Sequence, residues 1–129
     1  MNSVLRMAAL LLTAVAPMAH SQSAKTDLTP QEIKGQSLYV TRCSACHSVE
    51  YNGIGPAHKG LFGRKAGTVA GYPYSSALKN SNFSWDERKL DQWLSNPELM
   101  VPGQKMGVSI VDPVERADIV AFLKRITPK

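Results

Sequence analysis

The chain has 129 residues, enough for one domain, with 43% hydrophobic residues, 19% charged residues and a formal net charge of +5. No Lys/Arg run and no nucleic-acid motif accompanies that modest positive balance, which excludes a nucleic-acid binder and suits an acidic protein partner or an anionic surface. Two cysteines and three histidines, one of them His20 near the start of the chain, supply a four-ligand zinc site poorly.

The first 21 residues have the layout of a secretory signal peptide. Arg6 gives one positive charge, Met7–Ala16 is an apolar run, and small residues follow at Ala19 and Ser21. The run is shorter than the roughly 20 apolar residues a bilayer span needs, so the alternative of an uncleaved anchor is the weaker one. Cleavage is expected near Ser21–Gln22, within three residues. It leaves 22–129 as the domain, with no integral membrane span.

Thr29-Pro30-Gln31-Glu32 opens a helix with a capping box and a proline in the first turn. Ile33, Leu38 and Val40 are its candidate buried positions. Gly35 and Tyr39, four apart, share a face. A glycine inside a helix costs up to about 1 kcal/mol against alanine, so a close neighbour is expected at Gly35.

The helix leads into Cys43-Ser44-Ala45-Cys46-His47. Cys-x-x-Cys-His is the attachment signature of a c-type haem. Two thiols three positions apart share a helical face and can each add to one vinyl group of the porphyrin, while the adjoining imidazole points at the iron. A redox dithiol needs no adjacent histidine and belongs in a βαβ context. Residues 48–71 are then punctuated by glycines and Pro56. So long an irregular segment is uncommon unless it serves a site, such as the edge of a haem.

Residues 75–80 suggest a short helix. Ser84-Trp85-Asp86-Glu87 looks like a second capping box, followed by Leu90, Trp93 and Leu94 at helical spacing and a stop at Asn96-Pro97. Residues 99–111 form another loop with a turn at Pro102-Gly103. Asp112-Pro113-Val114-Glu115 opens the last helix by the same device, with Ile119, Phe122, Leu123 and Ile126 as its apolar stripe and Pro128 closing it. No segment alternates as a strand does, and there are no repeats or low-complexity tracts. The fold class is therefore all-α, with functional loops around one haem.

An iron held by one histidine needs a sixth ligand or stays open to small molecules. Outside the leader the choices are Met100, Met106 and His58. Met100 follows closely on a helix end and suits packing. Met106 stands in a loop without an apolar stripe, far enough along the chain to reach the opposite haem face. His/Met ligation raises the potential relative to bis-His and closes the iron to substrates, which leaves one-electron exchange.

Over about 31–126 the chain resembles the class I c-type cytochromes. The matching blocks are Gly35-x-x-x-Tyr39, Cys43-x-x-Cys46-His47, Gly55-Pro56, Gly60-Leu61-Phe62-Gly63-Arg64-Lys65, Gly71-Tyr72-Pro73-Tyr74-Ser75, Pro102-Gly103-Gln104-Lys105-Met106 and Glu115-Arg116-Ala117-Asp118. The resemblance implies a small cytochrome c fold of four to five helices and one covalently attached haem c. It implies thioethers at Cys43 and Cys46, and His47 and Met106 as axial ligands. The carbonyl of Pro56 is expected to accept from His47, Arg64, Tyr74 and Trp85 to lie near a buried haem propionate, and Gly35 and Tyr39 to meet Phe122. It further implies a monomeric electron carrier rather than an enzyme, placed in a bacterial periplasm and exchanging electrons with respiratory or photosynthetic redox proteins that have acidic docking surfaces.

The chain also departs from the pattern of mitochondrial members. Leu78 replaces a polar Asn and Trp93 a Tyr near the methionine sulfur; both changes are expected to dry the pocket. Gln104 replaces a Thr and Val108 an aromatic. His58 stands where an apolar residue is frequent and is expected to have no ligand role. Glu98 replaces a docking-face lysine, so the basic ring is incomplete, with Arg42 and Lys105 retained.

Overall fold

A backbone contact between the first and last helices sets the architecture of the computed structural model, which describes residues 27–127. The expected leader and Pro128 lie outside the described residues. Five helices follow in order: α1 Pro30–Arg42, α2 Ser76–Lys79, α3 Glu87–Ser95, α4 Pro97–Met100 and α5 Pro113–Ile126. Among the described residues there is no strand, only an isolated antiparallel bridge between Lys65 and Ser84.

Helix α1 starts as its sequence dictates. The Thr29 hydroxyl accepts from the Glu32 N–H and the Glu32 carboxylate accepts from the Thr29 N–H. It buries only a narrow stripe, Gly35 and Tyr39. Ile33 and Val40, expected inside, are 55% and 60% exposed. They point away because α5 crosses α1 at Gly35, and that crossing alone decides which face is covered. A Cβ on Gly35 would lie 2.0 Å from the Asp118 carbonyl oxygen and 2.8 Å from Phe122 Cβ. Just beyond, the Tyr39 and Phe122 rings meet at 5.5 Å.

The start of α3 differs from expectation. Its cap is Asp86, whose carboxylate accepts from the Lys89 N–H at 2.6 Å. Ser84 is taken up in the bridge to Lys65, flanked by Trp85 N–H to the Arg64 carbonyl and Ala66 N–H to the Phe83 carbonyl. Backbone pairing there outcompetes a capping role. Asn96 both ends α3 and caps a further turn, α4, so residues 97–100 are helical and the following loop begins later than expected. Pro97 fits the first turn of α4 because its missing N–H has no helical partner to lose. In α5, Asp112 caps through the Val114 N–H, but no reciprocal bond from Glu115 forms. Glu115 instead pairs with Arg42 at 3.4 Å.

The core joins Tyr39, Leu78, Trp85, Leu90, Trp93, Leu94, Ile110, Ile119, Phe122 and Leu123. Ile119, Phe122 and Leu123 of the expected stripe are buried, with Ile126 partly so. Arg116 ties α5 to α3 through Asp91 at 2.6 Å and also donates to the carbonyls of Ile110 and Val111. The Ile110 N–H donates to the Leu94 carbonyl at 2.7 Å, which pins the loop after α4 back onto α3.

Gly35→Ala tests the crossing. In an exposed helix this change gains about 1 kcal/mol. Here the added methyl meets backbone, and overpacking of that kind costs about 1–3 kcal/mol. A lower midpoint in thermal unfolding of the purified protein is the expected outcome; a higher one would mean that α1 and α5 do not meet at this residue.

Candidate functional site

Cys43 caps the end of α1 and starts a tight turn in which the N–H groups of Cys46 and His47 both donate to its carbonyl, at 3.0 and 2.9 Å. The turn carries both thiols and the imidazole to one wall of a cavity. The Gly55 N–H donates to the Cys46 carbonyl at 2.7 Å, so the following loop is folded back onto the same turn. That fold brings the Pro56 carbonyl 2.9 Å from His47 Nδ1. A carbonyl only accepts, so Nδ1 carries the proton and the lone pair of Nε2 stays available. Gly55 is required by close approach: a Cβ there would stand 2.3 Å from His47 Cε1.

Burial lowers the pKa of His47, against an opposing pull from the Pro56 bond, which keeps the ring neutral and able to ligate. Burial pushes the Cys43 thiol up to about 11. His58, on the same wall, stacks on His47 and is held neutral, its pKa pushed down to about 3, chiefly by burial, with the Arg64 guanidinium adding to the shift.

All eight residues singled out in the sequence, Cys43, Cys46, His47, Pro56, Arg64, Tyr74, Trp85 and Met106, line this one cavity. Leu61, Leu78, Leu90, Trp93, Leu94, Ile110 and Leu123 add apolar walls. Met106 enters from the loop after α4, and the Trp93 indole N–H donates to its sulfur at 3.0 Å. Met100 packs against the core instead. Ile54, 78% exposed, and Val108, 37% exposed, form an apolar rim beside Arg42 and Lys105.

The bridge between Lys65 and Ser84 places Arg64 and Trp85 together. Arg64 donates from Nη1 to the Lys59 carbonyl at 2.5 Å and from Nη2 to the Ala57 carbonyl at 3.0 Å. Its Nε is buried and finds no partner among the described residues. An unmatched buried donor on a cation is costly, and an acidic group inside the cavity would resolve it. Burial also raises the pKa of Tyr74 beside it. Two thiols, a neutral imidazole, a thioether brought in by a separate loop, apolar walls and an unmatched guanidinium donor together fit a haem with buried propionate.

Two features were not foreseen. Glu98, expected only as a change in docking charge, accepts from the Gly103 N–H at 2.9 Å and from the Gln104 amide at 3.3 Å. Gln104 in turn accepts from the Met106 N–H. The pair braces the turn that presents Met106. The Pro102-Gly103 turn was the available signal, since both side chains flank it. The second feature is the bond between Tyr39 and His58, for which spacing offered no sign.

The cytochrome c family model matches residues 32–127. Cytochrome c of Arabidopsis thaliana is 41% identical over 110 residues, covering 82% of this chain and 98% of that protein. Cytochrome c2 of Rhodomicrobium vannielii is 41% identical over 105 residues, covering 78% and 83%. The solved structure of cytochrome cH from Methylobacterium extorquens superposes with a TM-score of 0.69 at 45% identity, covering 73% of this chain and 97% of that one.

Gly55→Ala is expected to break the His47–Pro56 bond, because the new methyl would overlap the ring. In the reduced, haem-loaded protein, exchange of the His47 Nδ1 proton with water should accelerate about tenfold, the factor that a lost hydrogen bond of ~1.4 kcal/mol carries. Unchanged exchange would show that the glycine does not seat the ring.

Proposed function

The chain belongs to the cytochrome c family, as a class I c-type cytochrome with covalently attached haem c, and from that premise we propose that it is a periplasmic one-electron carrier whose iron is ligated by His47 and Met106. The observation that carries the ligation is the placement of His47 and Met106 on one cavity, the imidazole fixed through Pro56 and the thioether presented by a braced turn. Bound there, the haem supplies reversible exchange of one electron between ferrous and ferric iron.

The chain's own groups do the rest. Cys43 and Cys46 hold the ring by thioethers. The Pro56 carbonyl orients His47 and raises its basicity. Glu98 and Gln104 hold the Met106 turn, and the Trp93 N–H fixes its sulfur. Arg64 and Tyr74 stabilise acidic charge inside, while Leu78, Trp85 and Trp93, all buried, keep water out. With His47 and Met106 both held for the iron, the haem would exchange electrons and leave no position for a substrate.

We assign residues 1–21 to a cleaved export signal, consistent with covalent attachment outside the cytoplasm. No described helix is long and apolar enough to cross a membrane. Encounters with an acidic redox partner are brief and use the apolar rim at Ile54 and Val108 beside Lys105. Arg42 contributes less charge there than its position suggested, because Glu115 lies 3.4 Å away. A monomer suffices for this role.

Met106→Ala is expected to abolish the thioether–ferric charge-transfer band, lower the midpoint potential and allow the reduced protein to bind carbon monoxide. If spectrum and potential both stay as in the parent, Met106 is not the ligand. Electron transfer to an acidic partner should slow as ionic strength rises, since steering charges are screened within about 10 Å at 0.1 M salt. Lys105→Gln should flatten that dependence more than Arg42→Gln does. A slope equal in both variants and the parent would remove Lys105 from the docking face.

A further inference from the structure

His58 and Tyr39 put polar groups where an apolar pair would fill the same space. The His58 ring stacks on His47 with centroids 4.3 Å apart and planes at 21°. Its Nδ1 is hydrogen-bonded to the Tyr39 hydroxyl at 3.1 Å, and those two rings meet edge-on at 5.7 Å. Tyr39 is 6% exposed and rests against Phe122 at the α1–α5 crossing. Four rings, Phe122, Tyr39, His58 and His47, thus run in file from the helix crossing to the imidazole.

Buried polar groups cost stability unless they are paired, and here each supplies the other's partner. What the pair adds is orientation. The Pro56 carbonyl fixes one atom of His47, and a single bond at Nδ1 leaves the tilt of the ring free. A flat neighbour nearly parallel to the imidazole removes that freedom, provided the neighbour is itself held. His58 is held by Tyr39, whose own ring is locked in the crossing.

We propose that Tyr39 and His58 are positioning residues for His47, the tyrosine hydroxyl holding the His58 ring and that ring setting the plane of the axial imidazole. The proposal rests on His47 ligating the iron. It also joins the α1–α5 interface to the iron through side chains that the attachment motif does not include.

The test uses the haem-loaded protein as the parent, Tyr39→Phe, His58→Leu and the double variant. Electron paramagnetic resonance g-values and the NMR shifts of the haem methyl groups in the ferric state report the plane of the axial imidazole. Tyr39→Phe, which removes one oxygen and keeps the Tyr39 carbonyl that accepts from Cys43 and Ser44, should move both sets of signals. His58→Leu should move them further, and adding Tyr39→Phe to it should change nothing more, because the two act in series. Signals that Tyr39→Phe leaves at parental values, or shifts equally with and without His58, overturn the proposal. Should His58→Leu not accumulate, Tyr39→Phe alone still decides. A parent lacking a histidine-ligated low-spin spectrum would take down the ligation as well, whereas a normal parent unmoved by Tyr39→Phe sinks only the positioning role.

Discussion

The contact of Gly35 with the backbone of Asp118 governs where the attachment turn stands. A residue with any side chain would force α1 away from α5. Because the helices touch there, the end of α1 is fixed in space, and Cys43, which caps that end, delivers the attachment turn to the cavity wall. Packing of two terminal helices is thereby converted into the position of two thiols and an imidazole. The helix gives up intrinsic propensity at Gly35 in return for a close crossing that fixes the reactive turn.

The two proposed iron ligands are held by unlike means. His47 is constrained through its ring, by a carbonyl, a glycine that makes room and a stacked histidine. Met106 sits on a flexible thioether chain, and the constraint falls on its backbone: Glu98 and Gln104 fix the turn, and the Leu94 carbonyl anchors the chain at Ile110 just after it. The difference follows from the side chains. An imidazole has a plane to be set, whereas a methionine has several soft torsions and is best placed by fixing its Cα. The Trp93 N–H then supplies the one directional contact the sulfur can accept.

Much of this was legible in the sequence. The attachment motif, the Thr29 cap, the short helix after Ser75 and the apolar faces of α3 and α5 all follow from local chemistry. The eight residues named for the haem line one cavity. The failures have physical causes. Ile33 and Val40 look like core by composition, yet α1 is covered by one helix along one narrow line. Ser84 has a good cap residue's side chain, but its backbone is committed to Lys65. Asn96-Pro97 signals an end and equally a beginning, and only the observed backbone shows that it is both. Glu98 counts as a surface charge until the turn that it braces is visible, since its partners are a backbone N–H and an amide five and six residues on.

The electrostatics of the cavity argue that folding and cofactor attachment support one another. Arg64 is half-buried, it spends Nη1 and Nη2 on neutral carbonyls, and its Nε finds no partner among the described residues. Burial lowers its pKa, so the surroundings resist the charge that the residue must carry. A polypeptide gains nothing from that arrangement alone; an uncompensated buried donor costs about 1–3 kcal/mol. The cost disappears when an acid occupies the cavity, and a propionate tied to a covalently held ring is an acid that cannot diffuse away. Thioether attachment would then serve stability as well as retention, because the acid that would pair with Arg64 is fastened in place by the same fold.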